Sequence, residues 1–342
     1  MLVLNHLFLL VFVFFFLFKV LKIGPDHLYS TLFVLYLFSF APLFVVMDSG
    51  QVNLAVLLLI CLSWAALKKN RAPFWIALPL TLAVILKLYP ILFLVPLFFK
   101  KQYQAIGMVV LLLLILSAGV SLFLPPGTWE TWYENVGSKG YSDLVLGFST
   151  NAPANQSMNG LLMRTFFGKN IRFDPILTVP DWVSRGAPYV LAGVVFAASL
   201  IVSVFAHQNP AMHPDRLLDL EFSLWSVVSF LIAPVSWDHH LVFLIPAVAV
   251  LIYHLFYGRN RRNLLLLGAA VALAVFLARP YPYNSPEFRE GMKTLLISAS
   301  LFGVGLMWIF FSLMLGELAA AKGRPGDLQS VNSGRFWNRR AR

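Results

Sequence analysis

Long apolar runs follow one another along the whole chain, separated by short polar punctuation. Several reach the ~18 residues that a helix needs to cross a bilayer. The pattern predicts helical spans at 3–18, 29–46, 52–67, 73–86, 90–99, 105–124, 187–206, 217–235, 240–257, 264–278 and 293–315. No alternation of period two marks barrel strands, and only helices satisfy their backbone groups within one segment. The expected fold is therefore an all-α polytopic membrane protein of about 11 transmembrane or re-entrant helices. Segments 73–86 and 90–99 are short. They read as a hairpin that enters from one face and turns at Lys87-Leu88-Tyr89-Pro90, with Pro90 suited to the first turn of the second arm. Residues 1–321 form one membrane domain with a single long loop, 125–186, and 322–342 form a basic tail expected to be disordered.

Composition agrees with this pattern. Hydrophobic residues make up 59% of the 342 positions and charged residues 12%. Soluble domains run near half apolar and about a quarter charged. Cys61 is the sole cysteine and lies in an apolar run, so it forms no intrachain disulfide and reads as packing.

Charge sets the orientation. One face collects 17 of the 26 Lys and Arg, including Lys68, Lys69, Arg71, Lys100, Lys101 and six in the tail. That face is expected to be cytoplasmic, in a plasma (inner) membrane, with the C-terminus inside. Once the acids are placed, the whole formal charge of +11 falls on it. Anionic lipid headgroups are the expected partners. Nucleic acid is excluded, because the charge is scattered over short loops. Eleven spans with an inner tail put Met1 outside, and no signal peptide is visible. A natural first span and first outer loop are expected to precede this chain.

The long loop opens with Trp129, Trp132 and Tyr133, aromatics of the kind that settle at headgroup level. It continues with "NQSMNGLLMR", where Met158, Leu161, Leu162 and Phe166 fall at helical spacing. That predicts a short amphipathic helix lying on the outer interface. Asn155-Gln156-Ser157 also fits the glycosylation triplet, a weak match.

Polar residues gather at the outer ends of the spans. "DSGQVN" (48–53) links two of them, Lys87 lies at the hairpin turn, "NQSMN" and Arg164 lie in the loop, and "WDHH" (237–240) links two more. Each has a plain structural alternative. Lys87 can snorkel, Gln51 and Asn53 can cap or bridge helices, Asp48 can cap, and His239 and His240 can simply sit at the interface. Ionisable groups near spans are expensive unless paired or solvated, so convergence of four groups on one side favours a site. Adjacent helical residues point about a hundred degrees apart, so the two histidines do not chelate one metal, and no metal or cofactor is expected. Gly-rich phosphate loops, Cys-x-x-Cys, His-Glu-x-x-His and Gly-x-Ser-x-Gly are all absent from the sequence.

"GQVN", "LKLYP" followed by "KK", "NQSMNGLLMR" and "WDHH", in this order over about residues 30–260, closely resemble glycosyltransferase family 87. The resemblance implies a GT-C-like fold. It also implies transfer of a hexose, mannose by the family's pattern, from a polyprenyl-phosphate donor to a lipid or glycan acceptor on the extracytoplasmic face. The anomeric centre would invert in a single displacement. Lys87, His239, His240 and Arg164 would then meet the donor phosphate, with Asp238 orienting an imidazole. Gln51, Asn53, Asn155, Gln156 and Asn159 would hold hydroxyls or phosphate oxygens. The family's usual base resembles an acid in a first outer loop, and no residue here matches it by position. Asp48 and Asp238 are the nearest outer acids, and Asp48 is the expected stand-in for the catalytic base. Two other classes compete: a non-catalytic lipid-binding or assembly protein, and a multi-span transporter or flippase. A transporter would show two similar halves and polar groups at the midplane.

Overall fold

In this computed structural model the described residues are 3, 6–7, 9–11, 13, 27–138, 141, 144–145, 148–149, 152–166, 176–177, 179–208, 214–257 and 285–320. The expected spans 264–278 and most of 3–18, with the basic tail, lie outside them.

Among the described residues the regular structure is helical apart from one antiparallel hairpin of two-residue strands, β1 (Leu144–Val145) and β2 (Phe148–Ser149). The helices are α1 (His27–Ser39), α2 (Ala41–Ser49), α3 (Asn53–Lys68), α4 (Pro73–Leu86), α5 (Leu94–Phe99), α6 (Tyr103–Ser121), α7 (Thr128–Trp132), α8 (Met158–Phe166), α9 (Asp181–His207), α10 (Pro214–Leu231), α11 (Ile245–Tyr257) and α12 (Ala299–Ala320). Among the described residues three helical segments are long and apolar enough to cross a membrane: Tyr103–Ser121, Arg185–His207 and Gly291–Glu317. The count becomes four if the bent pair α2 and α3 is one span. That number is of the described residues alone, and the shorter apolar helices, such as the arms of the expected hairpin, are not in it. The 14 residues of α4 rise only about 21 Å, short of the ~30 Å hydrocarbon core.

Prolines decide where the runs break. The segment read as one span over 29–46 is two helices, interrupted at Phe40, whose backbone is extended (φ −84°, ψ 91°). Pro42 explains the break. It has no N–H, and its ring would clash with the carbonyl four residues back. α2 then turns sharply into α3, at 115°, through Gly50 in the left-handed region (φ +65°). Pro96 and Pro246 act in the same way. Each sits early in a helix and is preceded by a 3₁₀ stretch, Tyr89–Phe93 before α5 and Asp238–Leu244 before α11.

α10 is the centre of the packing. From Leu217 to Leu231 every residue is buried, against α9, α11, α12 and the 3₁₀ turn at Tyr89–Phe93. Phe222 stacks on Trp64 of α3 (ring centroids 4.9 Å) and on Phe93 (5.1 Å). α3 and α4 form a tight pair, and Ser63 Oγ donates to the carbonyl of Ile76 at 2.8 Å. By contrast α6 and α9 leave large side chains such as Leu114, Ile115, Val190 and Val194 exposed, which suits lipid contact. Cys61 is buried in the core.

Candidate functional site

Pro90 places Lys87. Its ring would meet the Leu86 carbonyl if the helix ran on, so α4 ends at Leu86. Lys87 follows in extended backbone (φ −150°, ψ 131°), with its N–H on the Ala83 carbonyl at 2.9 Å. The side chain is half-buried in the turn between the two arms.

The 3₁₀ turn Asp238–Leu244 supplies the other half of the site. Trp237 is extended ahead of it (φ −71°, ψ 157°), and its N–H donates to Nδ1 of His240 at 3.3 Å. Nε2 of His240 then lies 3.5 Å from Nζ of Lys87, across 153 residues of sequence. Tyr89 packs beside the same imidazole (centroids 6.2 Å) and on Phe243 (4.7 Å). The rings of His239 and His240 meet edge to face at 4.7 Å. Because Nδ1 has one lone pair, the Trp237 backbone N–H fills the acceptor position of that nitrogen.

Electrostatics in this corner are set by burial beside an unmatched cation. Burial holds the Lys87 ammonium below its ordinary range. Burial, and then the neighbouring Lys87 charge, push His239 down to about 4. At neutral pH His239 is therefore neutral, and the positive charge of the corner resides on Lys87. No Asp or Glu pairs with Lys87 among the described residues. An incoming anion would meet a partly desolvated lysine that no carboxylate of the described residues pairs with.

The "DSGQVN" group is split by the α2–α3 turn. Asn53 is fully buried at the start of α3, and its Nδ2 donates to the backbone carbonyl of His239 at 3.2 Å. Its Oδ1 is buried without a partner. Gln51 is half-buried and Asp48 is exposed at the end of α2, a helix that packs on the 238–244 turn.

The loop group has a different placement. Asn155, Gln156, Ser157, Asn159 and Arg164 are all fully buried. Gln156 Nε2 donates to the carbonyls of Pro153 (2.9 Å) and Ile297 (2.8 Å). Ser157 Oγ and Asn159 Nδ2 both donate to the Pro234 carbonyl at 3.1 Å. Arg164 donates to the Ala152 and Asn155 carbonyls and to Ser298 Oγ (2.9, 3.0 and 2.7 Å). The segment thus stands behind the "WDHH" turn and holds it. α8 has two unlike faces, and the more deeply buried one carries the polar residues. Asn159, Gly160, Met163 and Arg164 face inward, while Met158, Leu161, Leu162 and Phe166 are only half-buried. Apolar periodicity gives the two faces but not what the polar one meets, because the backbone carbonyls that it satisfies belong to distant segments. The buried Asn155 side chain rules out glycan attachment in this fold.

The sequence profile of glycosyltransferase family 87 matches residues 1–234. The chain belongs to glycosyltransferase family 87. It is 26% identical over 289 residues to the polyprenol-phosphate-mannose-dependent alpha-(1-2)-phosphatidylinositol mannoside mannosyltransferase of Mycolicibacterium smegmatis, covering 83% of this chain and 60% of the relative. It is 27% identical over 265 residues to the protein of that name from Mycobacterium tuberculosis, covering 76% and 53%. The chain thus spans a little over half the length of these curated relatives. No solved structure matches.

This family 87 chain also carries a polar cluster that the sequence reading missed. Lys68 pairs with both carboxylate oxygens of Asp219 (2.8 and 2.9 Å), which also accepts from Trp64 Nε1 at 3.1 Å. His207 meets Glu221 at 2.8 Å and stacks on Phe99 (5.1 Å). The signal was present, since Asp219 and Glu221 interrupt an otherwise apolar run. These pairs lie near the start of α10, whereas Pro234 and the "WDHH" turn follow its other end. Tyr89 is the neighbour of the site that sequence reasoning passed over, although "LKLYP" contains it.

Proposed function

We propose that this chain is a GT-C-type membrane hexosyltransferase. It moves mannose from a polyprenyl-phosphate donor to a lipid or glycan acceptor on the extracytoplasmic face. The observation that carries the reading is the meeting of Lys87 Nζ with His240 Nε2, beside Asn53, at one end of the bundle. Exposed Val52, Leu86 and Leu88 flank that corner, so an amphiphile can keep its tail in lipid while its head reaches the lysine. The printed names of the two mycobacterial relatives, both polyprenol-phosphate-mannose-dependent mannosyltransferases, support the choice of donor.

In the proposed step an acceptor hydroxyl oxygen attacks the anomeric carbon as the bond to the phosphate oxygen breaks. The bonding electrons leave with the phosphate, and the centre inverts. Negative charge grows on the leaving phosphate, where Lys87 opposes it. The hydroxyl proton passes to a carboxylate, and Asp48, exposed at the end of α2, is the candidate base of this chain. Gln51, half-buried next to that corner, is proposed to hold sugar hydroxyls, and the buried Asn53 to hold the His239 backbone. Anionic lipids are proposed contacts of the basic cytoplasmic face. No metal or other cofactor enters the scheme.

The test is transfer of labelled mannose from polyprenyl-phosphate-mannose to a glycolipid acceptor, with the chain in proteoliposomes. Transfer that requires Lys87 is expected. Donor-independent or Lys87-independent transfer would refute the scheme.

A further inference from the structure

We propose that Asn155 is a positioning residue. It sets the backbone that fixes His240 with its proton on Nε2, so that His240 and Lys87 present two donors to one anionic oxygen. The first step rests on donor chemistry. A backbone N–H only donates, so the Trp237 contact makes Nδ1 of His240 an acceptor. A neutral imidazole then carries its proton on Nε2. That nitrogen faces Lys87 Nζ at 3.5 Å, and an ammonium has three donors and no acceptor. The two groups do not satisfy each other. An oxyanion between them satisfies both with charge-assisted bonds. In this arrangement His240 is a hydrogen-bond donor and not a base.

The second step concerns what holds the Trp237 N–H in place. Residues 154–156 run antiparallel beside 236–238, with Asn155 opposite Trp237. The Gln156 N–H donates to the Ser236 carbonyl at 2.6 Å, and the Asp238 N–H to the Ala154 carbonyl at 3.1 Å. At the centre, Oδ1 of the fully buried Asn155 accepts the N–H groups of Ser236 (3.0 Å) and Ser157 (3.1 Å). One side chain therefore joins the loop to the residue just before Trp237. α8 presses on it from behind. A Cβ at Gly160 would lie 2.5 Å from the Asn155 carbonyl oxygen and 2.9 Å from its Cγ, so only glycine allows this approach. The identity of the oxygen as a donor phosphate rests on the proposed transferase reading; the tautomer and its support do not.

The test uses the full chain, ring-¹⁵N-labelled at histidine, in proteoliposomes near neutral pH, with His240→Gln to assign the His240 signals. The unsubstituted protein is expected to show a bare Nδ1 and a protonated Nε2. Asn155→Leu removes the acceptor and is expected to mix the two tautomers. Asn155→Asp keeps the acceptor oxygen and is expected to restore the single form. Gly160→Ala displaces Asn155 without removing it and is expected to mix the tautomers if Asn155→Leu does not fold. In the mannose-transfer assay, kcat should fall about tenfold for Asn155→Leu and recover for Asn155→Asp. A protonated Nδ1 in the unsubstituted protein, or an unchanged ring spectrum in both the Leu and the Gly160→Ala variants, overturns the positioning role. The expected tautomer together with no transfer from any polyprenyl-phosphate sugar would sustain this inference and refute the transferase reading instead.

Discussion

Asn53 donates from its side chain to the backbone carbonyl of His239 at 3.2 Å, tying the first turn of α3 to the turn that carries both imidazoles. The two residues are 186 positions apart, and the bond links the "GQVN" and "WDHH" segments. Replacing Asn53 by Leu keeps the volume and removes the tether. The expected outcome is a loss of about 1 kcal/mol in stability and a larger fractional loss in mannose transfer. Thermal unfolding in detergent and the transfer assay, run on the same preparation, separate the two.

Lys87 is expected to act against stability and for function. Its charge is half-buried, and burial lowers its proton affinity. Lys87→Met should leave the melting temperature unchanged or raise it, because a desolvated cation is replaced by an apolar side chain. The same variant should lose at least about tenfold in transfer rate. Lys87→Arg should recover part of the rate, because a planar fork replaces a point charge. A normal rate for the methionine variant would return Lys87 to a snorkelling role.

The Lys68–Asp219 pair should behave as a buried ion pair. The side chains are 2% and 9% exposed. Lys68→Ala strands the carboxylate and is expected to cost about 3–5 kcal/mol. Lys68→Met combined with Asp219→Leu is expected to recover most of that loss, since no unpaired charge remains. Denaturant unfolding of the two variants checks both statements.

His239 predicts the direction of acid sensitivity. Its pKa falls from an ordinary 6.5 to about 4 in the fold. Between those values the unfolded chain binds more protons than the folded one, so stability rises with pH there. The His239 contribution is complete above about pH 6.5 and is lost as the pH falls towards 4. His239→Gln should flatten that part of the stability-against-pH curve. Thermal unfolding between pH 4 and 7 reads it directly, and a parallel shift of the whole curve would contradict the assignment.

Apolar run length and proline position carried much of the helical layout. α3 and α4 begin and end within a residue of the runs 52–67 and 73–86, because a long apolar stretch bounded by Lys68 or Pro73 has no other way to satisfy its backbone in lipid. The turn at Lys87 was legible for the same reason, since Pro90 forbids the helix from continuing. The motifs also marked the family, which the profile match over residues 1–234 bears out; "GQVN" and "LKLYP" lie inside that match and "WDHH" follows it.

Tertiary structure alone decided which polar residues meet and which are consumed by the scaffold. Sequence placed Lys87, Asn53, the histidines and the "NQSMN" group at one end as equals. In the fold, Lys87 and His240 face each other, while Asn155, Gln156, Asn159 and Arg164 are spent on carbonyls of Ala152, Pro153, Asn155, Pro234 and Ile297, on the Ser236 and Ser157 N–H groups, and on Ser298 Oγ. The reason is that a buried backbone group must find a partner, and the partner is chosen by proximity in space. Side-chain type tells that an amide can donate and accept. Only the packing of α8 and the 238–244 turn tells which carbonyl it meets.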